Sequence, residues 1–139
     1  MKQYTLNVEQ SRALYNKHKS KIEPKNCYMN VFHVLTLYPR VFQSGEWKIA
    51  YGYVNSIDGV YCRHCFILAG EQVIDPTLFA SDRDNPDRKY FITKVYENTE
   101  DYLAALDAEE NYPALTTQLR NEDLAAQQWG MENGYLFIG

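Results

Sequence analysis

The stretch YCRHCFILAGEQVIDPT, residues 61–77, decides the fold prediction because it contains two short strands joined by a turn. A run rich in apolar and aromatic residues precedes Gly70, and a second run ends at Asp75-Pro76; both patterns are typical of β-strands. On the first strand, the alternation places His64 on one face and Cys65 on the other. The stretch therefore predicts a β-hairpin with a histidine on its first strand and an aspartate at the end of its second.

The length of the turn decides whether His64 and Asp75 share a face of the sheet. A two-residue turn pairs Leu68 with Val73, and a four-residue loop gives the same pairing. Asp75 then lies diagonally opposite His64 on the same face, where a carboxylate can orient an imidazole. A three-residue loop would send Asp75 to the opposite face.

Length and composition restrict the class of protein. The chain has 139 residues, 45% of them hydrophobic and 23% charged, which predicts one globular domain spanning residues 1–139. Its net charge of −4 argues against nucleic-acid binding, which needs a basic surface. No apolar stretch suits a signal peptide or a membrane span, and three cysteines, an odd number, argue against a disulfide framework. We therefore expect a cytoplasmic protein with reduced thiols and no membrane association.

The remaining periodicities predict an α+β fold. The predicted helices cover residues 6–22, 27–38, 100–110 and 122–129, and the predicted strands cover residues 46–54, 59–68, 71–76, 90–97 and 135–138. Asn7, Thr99 and Asn121 are the expected N-terminal caps of the first, third and fourth helices. N-terminal helices, then an antiparallel meander, then C-terminal helices favour helices packed on an antiparallel sheet. The second helix is expected to be a core helix that starts at Cys27 and ends before Pro39.

Cys27 lies in the first turn of this second helix and on its packed face. Asn30, Val31, Val34 and Leu35 follow at helical spacing, so the face that carries Cys27 is continuous. A thiol at a helix N-terminus meets the positive end of the helix dipole and free backbone N–H groups, which favour the thiolate and can hold an oxyanion. A buried cysteine that only packs is the alternative.

Cys27, His64 and Asp75 together have the residue types of a nucleophile, a general base and a group that orients the base. Each alone has a structural alternative: a packed cysteine, a hydrogen-bonded core histidine, or an aspartate that closes a strand-ending turn. The pair Cys62 and Cys65 offers a zinc or redox alternative. Residues three apart on a strand point to opposite faces, however, and no helix follows the second cysteine, so we expect no metal ion or cofactor.

The same residues resemble the transglutaminase-like branch of the papain-like cysteine protease superfamily. The likeness lies in NCYMNVFHVL, YGYV, RHCFIL and VIDPT, within residues 24–78. It implies a papain-like core, with Cys27 as the nucleophile, His64 as general base and acid, and Asp75 as the orienting residue. The candidates for a side chain that completes an oxyanion hole are Asn26, Asn30 and Tyr15.

We therefore expect a cysteine-dependent acyl-transfer enzyme that hydrolyses a peptide or amide bond through a thioester, as a protease, amidase or deamidase. The expected partner is a protein or peptide substrate, and a single dedicated target protein would suit the small size of the chain. Two alternatives remain. One is a non-catalytic interaction module with a vestigial triad on the same fold, and the other is a small zinc or thiol-redox module.

Overall fold

The computed structural model describes residues 1–57, 59–81 and 87–139, in which three consecutive helices precede three consecutive strands. The strands are β1 (Gln3–Leu6), β2 (Lys48–Ile57), β3 (Val60–Ala69), β4 (Gln72–Ile74), β5 (Lys89–Tyr96) and β6 (Leu136–Ile138). The helices are α1 (Val8–His18), α2 (Cys27–Leu37), α3 (Pro39–Gln43), α4 (Pro76–Ala80), α5 (Thr99–Ala108) and α6 (Arg120–Asn133). None of these helices is long and apolar enough to cross a lipid bilayer.

Five strands close into a β-barrel, which corrects the predicted architecture. The strand order runs β2, β5, β1, β4, β3, and β3 pairs with β2 again along most of its length. The sheet is closed on itself and includes a parallel pair, so the prediction of a papain-like core with helices packed on an antiparallel sheet is wrong. The coarser prediction of mixed helices and strands agrees with the structure.

The strand that closes the barrel is β1, which the sequence analysis did not predict. It pairs in parallel with β4 and in antiparallel with β5, so it joins two edges that would otherwise stay open. Only Leu6 of its four residues is buried, so the segment lacks the alternation that identifies longer strands. The C-terminal strand β6 was predicted, and it pairs in parallel with the first residues of β3.

The barrel interior is filled by one apolar cluster to which all five barrel strands contribute. Its strand residues are Leu6, Ala50, Val54, Phe66, Leu68, Val73 and Tyr90. The opposite face of β2 and β3 carries Tyr51, Cys65 and Ile67, which pack with α2 and α5 in a second cluster outside the barrel. Successive side chains of a strand point to opposite faces, so His64, next to Cys65, lies on the face of β3 that is turned toward the barrel interior.

Gly52 allows β2 to bend across β5 directly opposite His64. Gly52 pairs with His64 on one side, and on the other side the register with β5 shifts between Tyr51 and Gly52. A Cβ atom at this position would lie 2.0 Å from the carbonyl oxygen of Phe91, which no side chain could tolerate. The close approach of the two strands therefore requires glycine and helps to set the position of β3 at His64.

The helix boundaries match the sequence best near the N-terminus. Asn7 caps α1 by accepting a 3.0 Å hydrogen bond from the backbone N–H of Gln10, as predicted. The start of α2 at Cys27 is confirmed. In the C-terminal half the expected caps Thr99 and Asn121 are wrong, because α5 and α6 begin earlier. Two short helices that begin at prolines, α3 and α4, were not predicted.

Candidate active site

The site lies at a gap in the pairing of β3. One edge of β3 pairs with β2, while the other edge pairs with β6 at Val60–Cys62 and with β4 at Ile67–Ala69. No described strand pairs with residues 63–66 on this second edge. The N-terminal end of α2 packs beside this gap, so Cys27 meets β3 where the sheet is interrupted.

A cavity of about 730 Å³ opens at this gap. Cys27 from α2, His64 from β3 and Asp75 from the end of β4 all line it, so three separate elements bring the predicted residues together. The other lining residues are Pro24, Lys25, Tyr28, Val54, Cys62, Arg63, Thr77, Leu78, Ala80, Ser81, Arg88 and Gly139. The wall is therefore mixed, with apolar side chains beside several cationic ones.

The hairpin has the geometry that allows His64 to reach Asp75. Ala69 pairs with Gln72, so the turn has two residues, and Leu68 pairs with Val73 as predicted. His64 Nε2 lies 2.8 Å from Asp75 Oδ2. The predicted pairing of imidazole and carboxylate is present, although Asp75 lies just past the end of β4, at the start of α4.

Asp75 is fixed on several sides. Its side chain is almost fully buried, and Oδ2 accepts a second hydrogen bond of 2.7 Å from the hydroxyl of Tyr90. Its backbone N–H donates to Ser11 Oγ at 2.9 Å, which ties the residue to α1. A carboxylate held in this way offers His64 an acceptor in one position, which sets the tautomer and the orientation of the ring.

His64 is placed to exchange a proton with Cys27. Burial lowers the pKa of His64, but the charges of Asp75 and Cys27 and hydrogen bonds to both raise it more, so the pKa stands well above its ordinary value. Because Nε2 faces Asp75, Nδ1 is the ring nitrogen left for the thiol. The ring also stacks on Phe66, with centroids 6.1 Å apart. The imidazole is thus hydrogen-bonded to the carboxylate and is close enough to Cys27 for the thiol to affect its pKa.

Cys27 is the first residue of α2 and is only 7% exposed. The side chain of Asn26, the cap residue, makes no hydrogen bond to the helix, so it leaves the first backbone N–H groups unoccupied. These groups and the helix dipole favour negative charge on the sulfur or on an oxygen bonded next to it.

Asn30 holds the start of α2 in place, and its hydrogen bonds exclude it as the side chain of an oxyanion hole. Its amide nitrogen donates to the carbonyl oxygen of Glu23 at 2.7 Å and to Thr77 Oγ1 at 2.9 Å, and its oxygen accepts from the Glu23 N–H at 3.0 Å. Asn30 therefore ties the start of α2 to α4 and has no amide proton to spare. Neither Asn26 nor Tyr15 lines the cavity.

Tyr28 and Arg63 form a part of the site that the sequence analysis missed. Arg63 Nη1 donates to the Tyr28 hydroxyl at 3.0 Å, and since arginine is only a donor, the hydroxyl keeps its own proton to donate. Burial, and then the charge of Cys27, raise the pKa of Tyr28 well above its ordinary value, so it remains protonated. The sequence could have indicated these two residues only by their position, because Tyr28 directly follows Cys27 and Arg63 directly precedes His64.

The remaining cysteines do not form a common site. Cys65 is buried outside the barrel, where burial raises its pKa well above the ordinary value, whereas Cys62 lines the cavity. All three cysteines are free thiols. Within residues 1–57, 59–81 and 87–139 no group of three or more histidine, cysteine or acidic side chains is placed to hold a metal ion.

No family model matches this chain, and comparisons with curated proteins and with solved structures gave no match. The resemblance to transglutaminase-like proteins thus depends on the quoted motifs alone, and the papain-like core that it implied is replaced by a barrel. The chemistry available at the site follows from its geometry. A thiol, an imidazole and a carboxylate in series can activate a nucleophile, transfer its proton and stabilise the resulting imidazolium.

Proposed function

We propose that this protein is a cysteine-dependent acyl-transfer enzyme that hydrolyses a peptide or amide bond through a thioester at Cys27. One observation carries the proposal: Cys27, His64 and Asp75 come from three separate elements, line one cavity, and include a 2.8 Å bond between the imidazole and the carboxylate. The proposal depends on these side chains and not on a papain-like fold.

In the first half of the reaction, His64 accepts the thiol proton of Cys27 and the thiolate attacks the substrate carbonyl carbon. The carbonyl oxygen gains negative charge, and the first backbone N–H groups of α2 and the Tyr28 hydroxyl are the nearby donors for it. His64 then gives its proton to the leaving amine while the carbon–nitrogen bond breaks. A thioester on Cys27 and a free amine result.

In the second half, a water molecule loses a proton to His64 and attacks the thioester. The carbon–sulfur bond breaks, the sulfur recovers the proton from His64, and a carboxylic acid leaves. Asp75 stabilises the imidazolium at both stages because its Oδ2 stays within hydrogen-bonding distance of Nε2. An amine in place of water would give transamidation by the same steps.

The proposed substrate is a protein or a peptide, and a single dedicated target protein remains part of the proposal. The reaction requires Cys27 as a free thiol, and all three cysteines are unpaired. A reducing compartment such as the cytoplasm suits this chemistry, because oxidising compartments convert exposed thiols to disulfides.

A small activated ester tests the proposal without knowledge of the natural substrate. We expect p-nitrophenyl acetate to release nitrophenolate in a burst and to leave an acetyl group on Cys27, detected by peptide mass spectrometry. Cys27→Ala should abolish both the burst and the adduct, while Cys65→Ala should retain them. An adduct distributed equally over the three cysteines, or a burst that survives Cys27→Ala, would overturn the proposal and favour a non-catalytic interaction module.

A further inference from the structure

Among the described side chains that line the cavity of Cys27, cations outnumber carboxylates. Its described lining side chains include three permanent cations, Lys25, Arg63 and Arg88, and a single carboxylate, Asp75. That carboxylate already binds His64 and Tyr90. Arg63 is also neutralised, because its Nε lies 2.9 Å from Asp123 Oδ2. Among the described residues, no ion pair to a carboxylate is found for Lys25 or Arg88, which both line the cavity.

Arg88 is a buried cation without a described carboxylate partner. It is 6% exposed, and its Nη1 donates to the backbone oxygen of Asn55 at 2.6 Å. Its Nε is buried and, within the described residues, has no hydrogen-bond partner. A buried guanidinium that lacks an anion is costly, since its desolvation is not offset by a counter-charge. A negatively charged ligand in the cavity would supply that charge.

Lys25 stands two residues before the nucleophile in an uncommon backbone conformation. Its φ of 60° lies in the left-handed region, which residues other than glycine and asparagine rarely adopt. The side chain is exposed and contributes to the cavity wall. The turn at Lys25 thus places a cation at the rim of the cavity, on the loop that leads into Cys27.

We propose that the acyl group of the substrate carries a carboxylate, which is bound by Arg88 inside the cavity and by Lys25 at its rim. The inference deepens the proposed function and rests on it: the natural substrates are amides with an acidic side chain next to the scissile bond. Arginine suits this role because its planar group donates two parallel hydrogen bonds to a carboxylate. The carboxylate would supply a counter-charge that no described residue is shown to give Arg88.

A pair of alkylating reagents of different charge separates this inference from the proposed function. Iodoacetamide is neutral and iodoacetate carries a carboxylate; with either, the Cys27 sulfur bonds to the methylene carbon and iodide leaves. The measured quantity is the rate for iodoacetate divided by the rate for iodoacetamide at Cys27. Because both reagents meet the same thiol, a change in thiol reactivity cancels in this ratio.

We expect Arg88→Gln to lower the ratio about tenfold, and Lys25→Gln to lower it about twofold, since an exposed charge is screened by solvent. Arg88→Lys, which keeps the charge, should retain most of the ratio. Lys19→Gln removes the same charge at an exposed site away from the cavity and should leave the ratio unchanged. An increase in ionic strength to about 0.5 M should lower the wild-type ratio.

If the ratio in Lys25→Gln equals the wild-type ratio, the carboxylate site is overturned. It is also overturned if Lys19→Gln lowers the ratio as much as Lys25→Gln does. If Arg88→Gln fails to fold, the ratio measured for Lys25→Gln still tests the carboxylate site, because Lys25 is exposed. The proposed function fails by a different result: a Cys27 that reacts with iodoacetamide no faster than Cys62. The two failures are therefore distinguishable in one set of measurements.

Discussion

Two adjacent residues of β3 each bind a carboxylate, and they do so on opposite sides of the strand. His64 Nε2 lies 2.8 Å from Asp75 Oδ2, and Arg63 Nε lies 2.9 Å from Asp123 Oδ2. The distances are nearly equal, but the surroundings differ. Arg63 also donates to the backbone oxygen of Ala114 at 2.7 Å, which joins β3 to the segment before α6. The His64–Asp75 pair instead lines the cavity that also contains the thiol of Cys27.

The comparison shows that two ion pairs of similar length can have different roles, one in stability and one in proton transfer. Arg63 has a permanent charge that binds groups from several elements, so its pair stabilises the packing of the barrel against the C-terminal helices. His64 can gain and lose a proton, unlike Arg63, so its pair can support proton transfer. We expect substitutions in the two pairs to separate activity from stability.

Replacement of His64 should have the largest effect on activity. His64→Gln keeps a polar side chain of similar size but cannot accept the thiol proton, so we expect acylation of Cys27 by p-nitrophenyl acetate to slow by about 10³-fold. Urea unfolding should show a much smaller change in stability. Acylation within tenfold of the wild-type rate would contradict the role of His64 as general base.

Replacement of Asp123 should show the reverse pattern. Asp123→Asn leaves the guanidinium of Arg63 buried without its counter-charge, so we expect the free energy of unfolding to fall by about 3 kcal/mol. The acylation rate of the folded fraction should fall less than tenfold, because Asp123 does not line the cavity. Urea denaturation and the burst assay on the same preparation would measure both. A large loss of acylation without a loss of stability would refute the division between the pairs.

Removal of the Tyr90 hydroxyl should weaken the His64 pair without breaking it. Tyr90→Phe deletes the 2.7 Å hydrogen bond to Asp75 Oδ2, and we expect a loss of about 1 kcal/mol in stability and about tenfold in acylation. Tyr96→Phe is a matched control, since it removes a hydroxyl from the same strand outside the cavity. Equal acylation in the two variants would show that Tyr90 does not support Asp75.

The two pairs should also differ in their response to pH. The folded-state pKa of His64 is raised by Asp75 and Cys27 against the opposing effect of burial. The pair therefore contributes its full stability below the unfolded pKa of about 6.5, and this contribution is lost as pH rises through the raised folded pKa. The difference in unfolding free energy between wild type and His64→Gln should decrease over that range. The difference for Asp123→Asn should stay constant, because arginine remains charged; a parallel decrease in both would contradict this assignment.

The local parts of the site could be predicted from the sequence. The His64–Asp75 hairpin was predictable because alternation fixes the faces and the turn has two residues. The start of α2 at Cys27 was predictable because Pro24 and Lys25 interrupt the helical pattern and Cys27 begins a new one. Both features depend on neighbouring residues in the chain.

The non-local parts could not be predicted. The barrel closes through β1, whose four residues carry no strong pattern and pair with residues 67 to 88 positions away along the chain. Arg88 directly precedes β5 in the sequence, and only the folded chain brings it to the cavity of Cys27. The Tyr28–Arg63 contact likewise joins α2 to β3 across 35 residues. No sequence periodicity records such contacts.

The rate at which iodoacetamide labels Cys27 at pH 6 tests most directly whether Cys27, His64 and Asp75 act as a unit. An isolated thiol is mostly protonated at this pH and reacts slowly. We predict that wild-type Cys27 is labelled about 100-fold faster than Cys27 in His64→Gln, while Cys62 is labelled equally in both proteins. Equal labelling rates of Cys27 in the two proteins would show that His64 does not activate Cys27, which would contradict the proposed catalytic unit.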